Sequence, residues 1–446
     1  MGRWTEQQVA QLAPDASSVA AARKLAKPGP WFDTGSTDAL VWGKCQGSGS
    51  TPYQVSVDLT GPAFKCSCPS RKFPCKHGLA LLLLWVSGDG SVADVDAPAD
   101  FAGDWAQQRQ DRASSAASGP KKEVDPAAQA KRVEERKATM TAGMADFGLW
   151  LGDLVRNGIA GLRQQPYAFW DDTAARLVDA QLPGLADRVR AMGSLVVARP
   201  DWTDVLLAEI GRWWTATRAW TQLDHLSPDD VGNLRAYVGW PYSTDEIRQG
   251  EGVTDRWQVL GVHRTEEGRL QLQRTWLRGL ASGEVVVVLD FANIGGALGV
   301  AKVVGTVVDG TMARYPGTWP CRALFVDEPA AGEQATTLPG ATTITAHLER
   351  FSDALGAAPW LDRIPVGIAA ATISFGDDAV GDDAGDRDGS VWLVDAEGGA
   401  LPLASGVAVW DLLSWTGGAP ADVFGELEGG ALRPLTVVVG GAVVPL

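Results

Sequence analysis

The sequence contains the stretch Ala63-Phe64-Lys65-Cys66-Ser67-Cys68-Pro69-Ser70-Arg71-Lys72-Phe73-Pro74-Cys75-Lys76-His77-Gly78, which decides the fold around it. Three of the chain's 5 cysteines and one histidine stand here as a Cys-x-Cys pair followed by a Cys-x-His pair. Thiolates and imidazole suit Zn²⁺, which binds four such ligands tetrahedrally at about 2.0–2.3 Å. A set of four leaves no open coordination position. We therefore predict that Cys66, Cys68, Cys75 and His77 hold one structural zinc ion.

Two other uses of these cysteines compete with metal binding. One is a disulfide between Cys66 and Cys75, and the other is a redox-active thiol cluster. The N-terminal residues show no apolar secretory segment, so we expect a cytoplasmic protein, in which a thiol cluster beside a histidine favours metal. Cys45 is either a fifth, exchangeable ligand or, as we expect, a small packed residue of a hairpin. Cys321 stands alone in the sequence, and we expect it in a core.

The residues around the cysteines predict a small β-β-α unit. Residues 38–43 and 53–59 are expected to be short strands, and the second alternates apolar and polar residues. Residues 46–50 have the composition of a turn. The apolar run 79–86 predicts a helix directly after the last ligand pair. A unit of this size builds little core, so a metal is expected to stabilise it.

The Cys-x-Cys and Cys-x-His pairs, placed after two strands and before a helix, resemble the SWIM zinc finger over roughly residues 38–87. The wider stretches 42–50 and 68–78 are similar to bacterial SWIM zinc finger family proteins. The resemblance assigns the metal ligands to Cys66, Cys68, Cys75 and His77, with no departure from the family pattern. It implies that the chain binds DNA or protein, and that it acts as an adaptor with a MoxR-type AAA ATPase and a von Willebrand A domain protein.

The composition of the chain is that of a globular protein of more than one domain. The chain has 446 residues, 45% hydrophobic and 21% charged, which fits two or three globular domains. Its net charge of −15 argues against a protein that coats nucleic acid over its whole surface, and favours a protein partner. No run of eighteen apolar residues occurs, so we expect no membrane contact.

The charge is unevenly distributed along the chain. Residues 61–80 carry four basic residues and no acid, whereas residues 375–446 carry twelve acids against two arginines. We predict a contact surface for a phosphate or an acidic protein partner, made by Lys65, Arg71, Lys72 and Lys76 with Phe73 as an apolar tip. The alternative is that these cations only favour the thiolate form of the metal ligands.

The fold class that we predict is multi-domain α+β: a small ββα zinc-binding unit, a helical middle region and a β-rich C-terminal region. The expected divisions are listed here: N-terminal segment 1–30, zinc finger 31–87, linker 88–124, helical region 125–242 and β-rich α+β domain 243–446.

Several elements outside the finger are predicted from pattern and capping signals. Short helices are expected over 6–12 and 17–25, and Asp125 and Asp201 are expected to cap longer helices. Trp213, Trp214 and Trp220 are expected in the core of the helical region. Strands are expected over 257–262, 270–277, 285–289, 391–394 and 435–439, and helices over 345–355 and 407–415.

Motifs for catalysis are absent from the sequence. It contains no phosphate-binding GxxxxGK[ST] loop, no GxSxG and no HExxH. His225, His263 and His347 are far apart, and we expect structural roles for them. The acidic run 377–389 resembles a calcium loop, with Asp386, Asp388 and Asp395 at ligand positions, but we interpret it as a solvated acidic turn because Ala384 fills the first position.

The sequence therefore predicts a zinc-binding interaction protein and no enzyme. Two alternatives remain open: a protein that binds nucleic acid through the basic finger, and an enzyme with a site in the C-terminal half.

Overall fold

The structure, a computed structural model, describes residues 4–13, 16–47, 51–59, 63–70, 72, 74–118, 126–267, 270–293, 302–318, 321–329, 332–376 and 391–446. The predictions for Arg71, Phe73, Asp125 and the acidic run 377–389 lie outside these residues. The predicted fold class is confirmed: a zinc-finger unit of strands and a helix is followed by a helical region and then by β-sheets.

A five-stranded sheet forms the base of the finger unit, in the order β4-β3-β2-β1-β5. Its strands are β1 (Trp31–Ser36), β2 (Leu40–Cys45), β3 (Tyr53–Asp58), β4 (Ala63–Cys66) and β5 (Ala93–Asp94). The sequence predicted only β2 and β3. The register of β1 against β2 shifts between Phe32 and Gly35, and Asp33 has a positive φ of 50°. This irregularity breaks the alternation by which a strand is recognised in sequence.

Three helices complete the finger unit: α1 (Glu6–Gln11), α2 (Ala16–Leu25) and α3 (Lys76–Ser87). Residues 77–85 of α3 are all buried, because the sheet covers one side of the helix while α1 and α2 pack against it as well. Trp4 meets Trp85 edge to face, with ring centroids 5.9 Å apart. Described residues of the segment 1–30 therefore contribute to the finger core, and the two short helices predicted there are confirmed.

A helix, α4 (Asp100–Ser118), lies within the segment 88–124 that was predicted as a linker. Ala102 is fully buried, and Trp105 packs with it against Leu40 and Trp42 of the finger sheet. Two turns of apolar residues at helical spacing dock on the sheet and order the helix.

The middle region consists mainly of helices. They are α5 (Pro126–Asn157), α6 (Tyr167–Asp179), α7 (Pro183–Ala198), α8 (Trp202–Trp220) and α9 (Pro228–Val238). One apolar core joins them, in which Trp170 and Trp213 are almost completely buried.

Two predictions for α8 are wrong. Trp214 is 48% exposed, because it stands next to Trp213 and therefore points away from the core. Asp201 precedes the helix but makes no capping hydrogen bond from its side chain. Its carboxylate instead accepts from Nε and an Nη of Arg199, at 2.8 and 2.6 Å.

Two antiparallel sheets make up most of the C-terminal region. The first has the order β10-β9-β6-β7-β8 and the second has the order β13-β12-β11-β14-β15-β16. The strands of the first are β6 (Gly252–Glu267), β7 (Leu270–Gly279), β8 (Val285–Asn293), β9 (Val307–Arg314) and β10 (Ala323–Phe325). Those of the second are β11 (Arg363–Phe375), β12 (Val391–Val394), β13 (Ala400–Pro402), β14 (Ala421–Glu428), β15 (Ala431–Val439) and β16 (Ala442–Pro445).

Helices α10 (Thr244–Arg248), α11 (Ile344–Ala357) and α12 (Val409–Thr416) accompany these sheets, and the elements predicted in this half are confirmed apart from their ends. The sheets share a core, to which β6, β7 and β8 of the first and β14 and β15 of the second contribute. Thr436 on β15 donates a hydrogen bond from its hydroxyl to the carbonyl of Leu260 on β6.

The C-terminal region contacts both other regions. Gln8 of α1 is buried and donates from its amide to the carbonyl of Val304, at 2.8 Å. Tyr237 of α9 stacks on Trp360, with ring centroids 5.8 Å apart. Among the helices of the described ranges, none is long and apolar enough to cross a membrane.

Candidate metal centre

Two short segments of the finger bring the predicted ligands together. Cys66 is the last residue of β4, and Cys68 follows in the turn that leaves the strand. Cys75 is the N-cap of α3, with extended backbone angles, and His77 lies in the first turn of the helix. The end of one strand and the start of one helix therefore each supply two ligands.

The four side chains lie at distances that suit a tetrahedral metal ion. Their ligand atoms are all within 4.8 Å of one another. Nδ1 of His77 is 3.9 Å from Sγ of Cys66 and 4.0 Å from Sγ of Cys75. In a tetrahedral zinc site the edge between such atoms is roughly 3.6–3.8 Å. The donor set and its spacing both fit Zn²⁺.

Ser67, the residue between the first two cysteines, fixes the turn that carries them. Its backbone N–H donates to the carbonyl of Gln54 at 3.1 Å, and its hydroxyl accepts from the N–H of Gln54 at 3.0 Å. These two bonds extend the pairing of β3 with β4 beyond Cys66. The sequence prediction did not include Ser67. The signal that could have indicated its role in the turn is a small hydroxyl residue between the two cysteines of a Cys-x-Cys pair.

His77 is held by packing as well as by its position in α3. The ring is buried and lies 4.9 Å from the ring of Tyr53, centroid to centroid. The next residue, Gly78, lets Phe64 approach, because a Cβ on Gly78 would stand 2.7 Å from the Phe64 ring. Neither Tyr53 nor Phe64 was predicted as part of the site.

The electrostatic surroundings favour ionisation of one thiol over the others. A hydrogen bond from Cys66, opposed by burial and aided by His77 and the N–H of Gly78, lowers the pKa of Cys75 to about 4. The pKa of Cys66 is raised correspondingly by its hydrogen bond to Cys75 and by burial. Cys75 also stands at the positive end of α3, which stabilises a thiolate.

The two cysteines outside the motif do not complete the cluster. Cys45 on β2 is fully buried in the finger core, and the group that could hold a metal does not include it. This agrees with the prediction of a packed hairpin residue. Cys321 is half-buried and packs against the core of the first C-terminal sheet, as expected.

The predicted contact surface is described only in part. Lys65, Lys72 and Lys76 are all exposed around the ligand cluster. Lys72 donates from Nζ to the hydroxyl of Ser17 at 3.1 Å, so one of the three also ties the turn to α2. Arg71 and Phe73 lie outside the described residues.

Comparison with known families agrees with this geometry. Residues 53–85 match the family model of the SWIM zinc finger. The chain carries a SWIM zinc finger. Residues 135–238 match a second model, the SWIM-associated four-helix bundle domain, which covers most of α5 and all of α6 to α9. No match to the chain is found among curated proteins or among solved structures.

Two histidines of the C-terminal half, the partly buried His263 and the buried His347, make polar contacts within the fold. Nδ1 of His263 lies 2.7 Å from Oε2 of Glu426 and 2.8 Å from an Nη of Arg274. Nε2 of His347 is 2.7 Å from the carbonyl oxygen of Gly367. His225 lies in a short 3-10 helix and is exposed.

Asp395, which the sequence placed at a calcium-ligand position, is also part of the fold. Its carboxylate accepts from the backbone N–H groups of Ile344, Glu397 and Gly399, at 2.7 to 3.0 Å. It therefore holds a turn and the start of α11, and its oxygens face N–H donors.

Proposed function

We propose that this protein is a binding protein whose SWIM finger is stabilised by one structural Zn²⁺ and whose task is to bind a protein partner. The observation that carries the proposal is the convergence of Cys66, Cys68, Cys75 and His77, whose ligand atoms lie within 4.8 Å of one another. Four protein ligands fill a tetrahedral zinc site, so the ion's contribution there is structural.

The chain's own residues explain why an ion is needed. The two ligand pairs stand at the end of β4 and the start of α3, and the described residues between them (67–70, 72 and 74) form neither strand nor helix. A bond from each pair to one ion fixes the angle between the strand and the helix. The free energy of binding a structural metal of this kind adds to the free energy of folding of a small unit. Reduced thiols are required for it, which supports a cytoplasmic location.

The proposed partner is a protein, and the first candidates are a MoxR-type AAA ATPase and a von Willebrand A domain protein. The resemblance to bacterial SWIM proteins suggests both. The net charge of −15 supports a protein partner over a nucleic acid for most of the surface. The exposed Lys65, Lys72 and Lys76 supply a basic patch, which an acidic surface of the partner would complement.

Affinity purification with matched variants tests this proposal. The unmodified chain and Cys321→Ser, a cysteine change outside the ligand cluster, are expected to recover the same partner. Cys68→Ser, which removes one ligand, is expected to lose it. Recovery of the isolated monomer alone, or equal recovery of the partner by all three proteins, would count against a finger-dependent binding role.

Nucleic-acid binding through the finger is the second candidate, and the exposure of the three lysines is the observation that favours it. Four basic residues, with Arg71 as the fourth, would neutralise about four phosphates and give a log-log salt slope near −3.6 on duplex DNA. Fluorescence anisotropy across a salt series measures that slope. The triple variant Lys65→Gln, Lys72→Gln, Lys76→Gln should lower it to about −0.9. The absence of binding at low salt would exclude this candidate.

A further inference from the structure

A small cavity lies where α11 meets both C-terminal sheets. It has a volume of about 60 Å³ and is lined by the ends of β7 and β11, by the loop 338–340 and by one face of α11. Its apolar walls include Leu338, Phe351 and Phe424. Among the described residues, none of the finger or the helical bundle lines the cavity, so it is separate from the metal centre.

The charge of this cavity is entirely positive. Arg278 is half-buried and Arg350 exposed, and both line it together with His347, whereas no aspartate or glutamate among the described residues does. Within the described residues, neither arginine makes a hydrogen bond or an ion pair. Arginines elsewhere in this region do find carboxylates; Arg274, for example, pairs with Glu426. In a chain of net charge −15, two such arginines at one cavity form a positive site for which the described residues supply no counterion.

The position of Arg278 is set by a glycine rather than by an acid. Gly340 has a φ of +78°, and a Cβ placed on it would stand 2.6 Å from one Nη of Arg278 and 2.9 Å from the other. The guanidinium therefore occupies the space that a side chain at position 340 would need. The glycine leaves room for this planar group at the cavity and takes none of its N–H donors.

His347, the third basic side chain at the cavity, is neutral and does not add to its positive charge. Burial, with Arg350 acting in the same direction, lowers the pKa of His347, although its hydrogen bond to Gly367 opposes the shift. Its Nε2 is held by the carbonyl of Gly367. The net positive charge at the cavity is thus carried by the two guanidinium groups.

We propose that this cavity is a binding site for a small organic carboxylate. A guanidinium group donates two parallel hydrogen bonds to two oxygens of a carboxylate or of a phosphate, so either anion could bind these arginines. A single water needs about 10–15 Å³, so the cavity holds on the order of four to six non-hydrogen atoms. Its apolar walls favour a carboxylate with a short hydrocarbon body over the fully hydrated phosphate.

Isothermal titration calorimetry of the full chain with butyrate, acetate and inorganic phosphate, at constant ionic strength in chloride, tests the proposal. We expect one butyrate per chain, with acetate weaker and phosphate weakest. Arg278→Gln and Arg350→Gln should each weaken butyrate binding about tenfold or more, since each removes charged hydrogen bonds. Arg218→Gln, an exposed arginine on α8, is the matched control and should leave it unchanged.

Three results would overturn the site. They are no binding heat for butyrate, binding that survives both cavity variants, and phosphate binding with both carboxylates rejected. Circular dichroism of each variant checks that it is folded. Arg278→Lys gives a second measure at the same position, because it keeps the charge but loses the fork and should still bind several-fold more weakly than the unmodified chain.

Discussion

Arg274 on β7 donates from Nε to Oε1 of Glu426 on β14, at 2.9 Å, so that one ion pair joins the two C-terminal sheets. Both side chains are buried, with 4% and 1% of their surfaces exposed. The indole N–H of Trp276 donates to the same oxygen at 2.8 Å, and His263 lies against the other. Every carboxylate oxygen of Glu426 thus has a partner inside the sandwich, as a buried charge requires.

The first prediction concerns the loss of this charge. Glu426→Gln should lower the free energy of unfolding by about 3–5 kcal/mol, because it leaves the buried Arg274 without its carboxylate. Glu333→Gln is the control, since Glu333 pairs with Arg256 at the surface and its loss should cost under about 1 kcal/mol. Urea denaturation measures both variants. An equal loss of unfolding free energy in the two variants would show that the buried ion pair contributes no more to stability than the exposed one.

The second prediction follows from the pKa of Glu426. Burial would raise this pKa, but hydrogen bonds from His263, Arg274 and Trp276 outweigh burial and hold it well below its usual range. A carboxyl whose pKa is depressed in the folded state stabilises the fold above its unfolded pKa of about 4.3, and loses that contribution as the pH falls.

The difference in unfolding free energy between the unmodified chain and Glu426→Gln should therefore shrink as the pH falls below about 4.3. Unfolding in urea at a series of pH values measures it. A difference that stays constant down to pH 3 would mean that Glu426 is not held ionised by its neighbours.

The third prediction separates metal ligands from packed cysteines. Cys68→Ser should reduce the zinc content well below one ion per chain, because it removes one of the proposed ligands, and should loosen the finger, because binding of a structural metal contributes to the free energy of folding. Cys45→Ala should keep one zinc, since Cys45 lies in the core and outside the ligand group. Elemental analysis with near-ultraviolet circular dichroism measures both. Full zinc occupancy in Cys68→Ser would show that the ligand assignment is wrong.

The features that the sequence predicted correctly are local in the chain. Cys66, Cys68, Cys75 and His77 lie within one turn and two element ends, so their spacing alone indicates a common site. The apolar run of α3 and the alternation of β3 are equally local. Such patterns act over a few residues, where chain geometry leaves few arrangements.

The features that the sequence did not predict depend on the fold. Glu426 and His263 meet across 163 positions, and Arg278 and Arg350 reach one cavity from a strand and a distant helix. Trp214 and Trp213 are adjacent and identical in type, yet only one is buried, because the rotation of α8 against the bundle decides it. For a buried ion pair, the signal that a sequence offers is an acidic residue at a strand position that faces the core, as at Glu426.

The last prediction tests how the helical bundle docks on the C-terminal region. Gly232 lies buried within α9, and a Cβ added there would stand 2.3 Å from the carbonyl carbon and oxygen of Pro316. Asn233, the next residue, donates from its side-chain amide to the hydroxyl of Thr318 at 3.0 Å. The helix thus meets backbone of the β-rich region, which has little freedom to move aside.

Gly232→Ala should lower the free energy of unfolding by about 1–3 kcal/mol, because the overlap with Pro316 exceeds the gain in helix propensity. Gly211→Ala is the matched control. Gly211 lies within α8, and a Cβ added there would meet no atom within 4 Å, so this change should stabilise the protein by about 0.5–1 kcal/mol. Urea denaturation gives both values. If both glycines gained stability on becoming alanine, the close approach of α9 to Pro316 would be refuted, since helix propensity alone would then explain the two results.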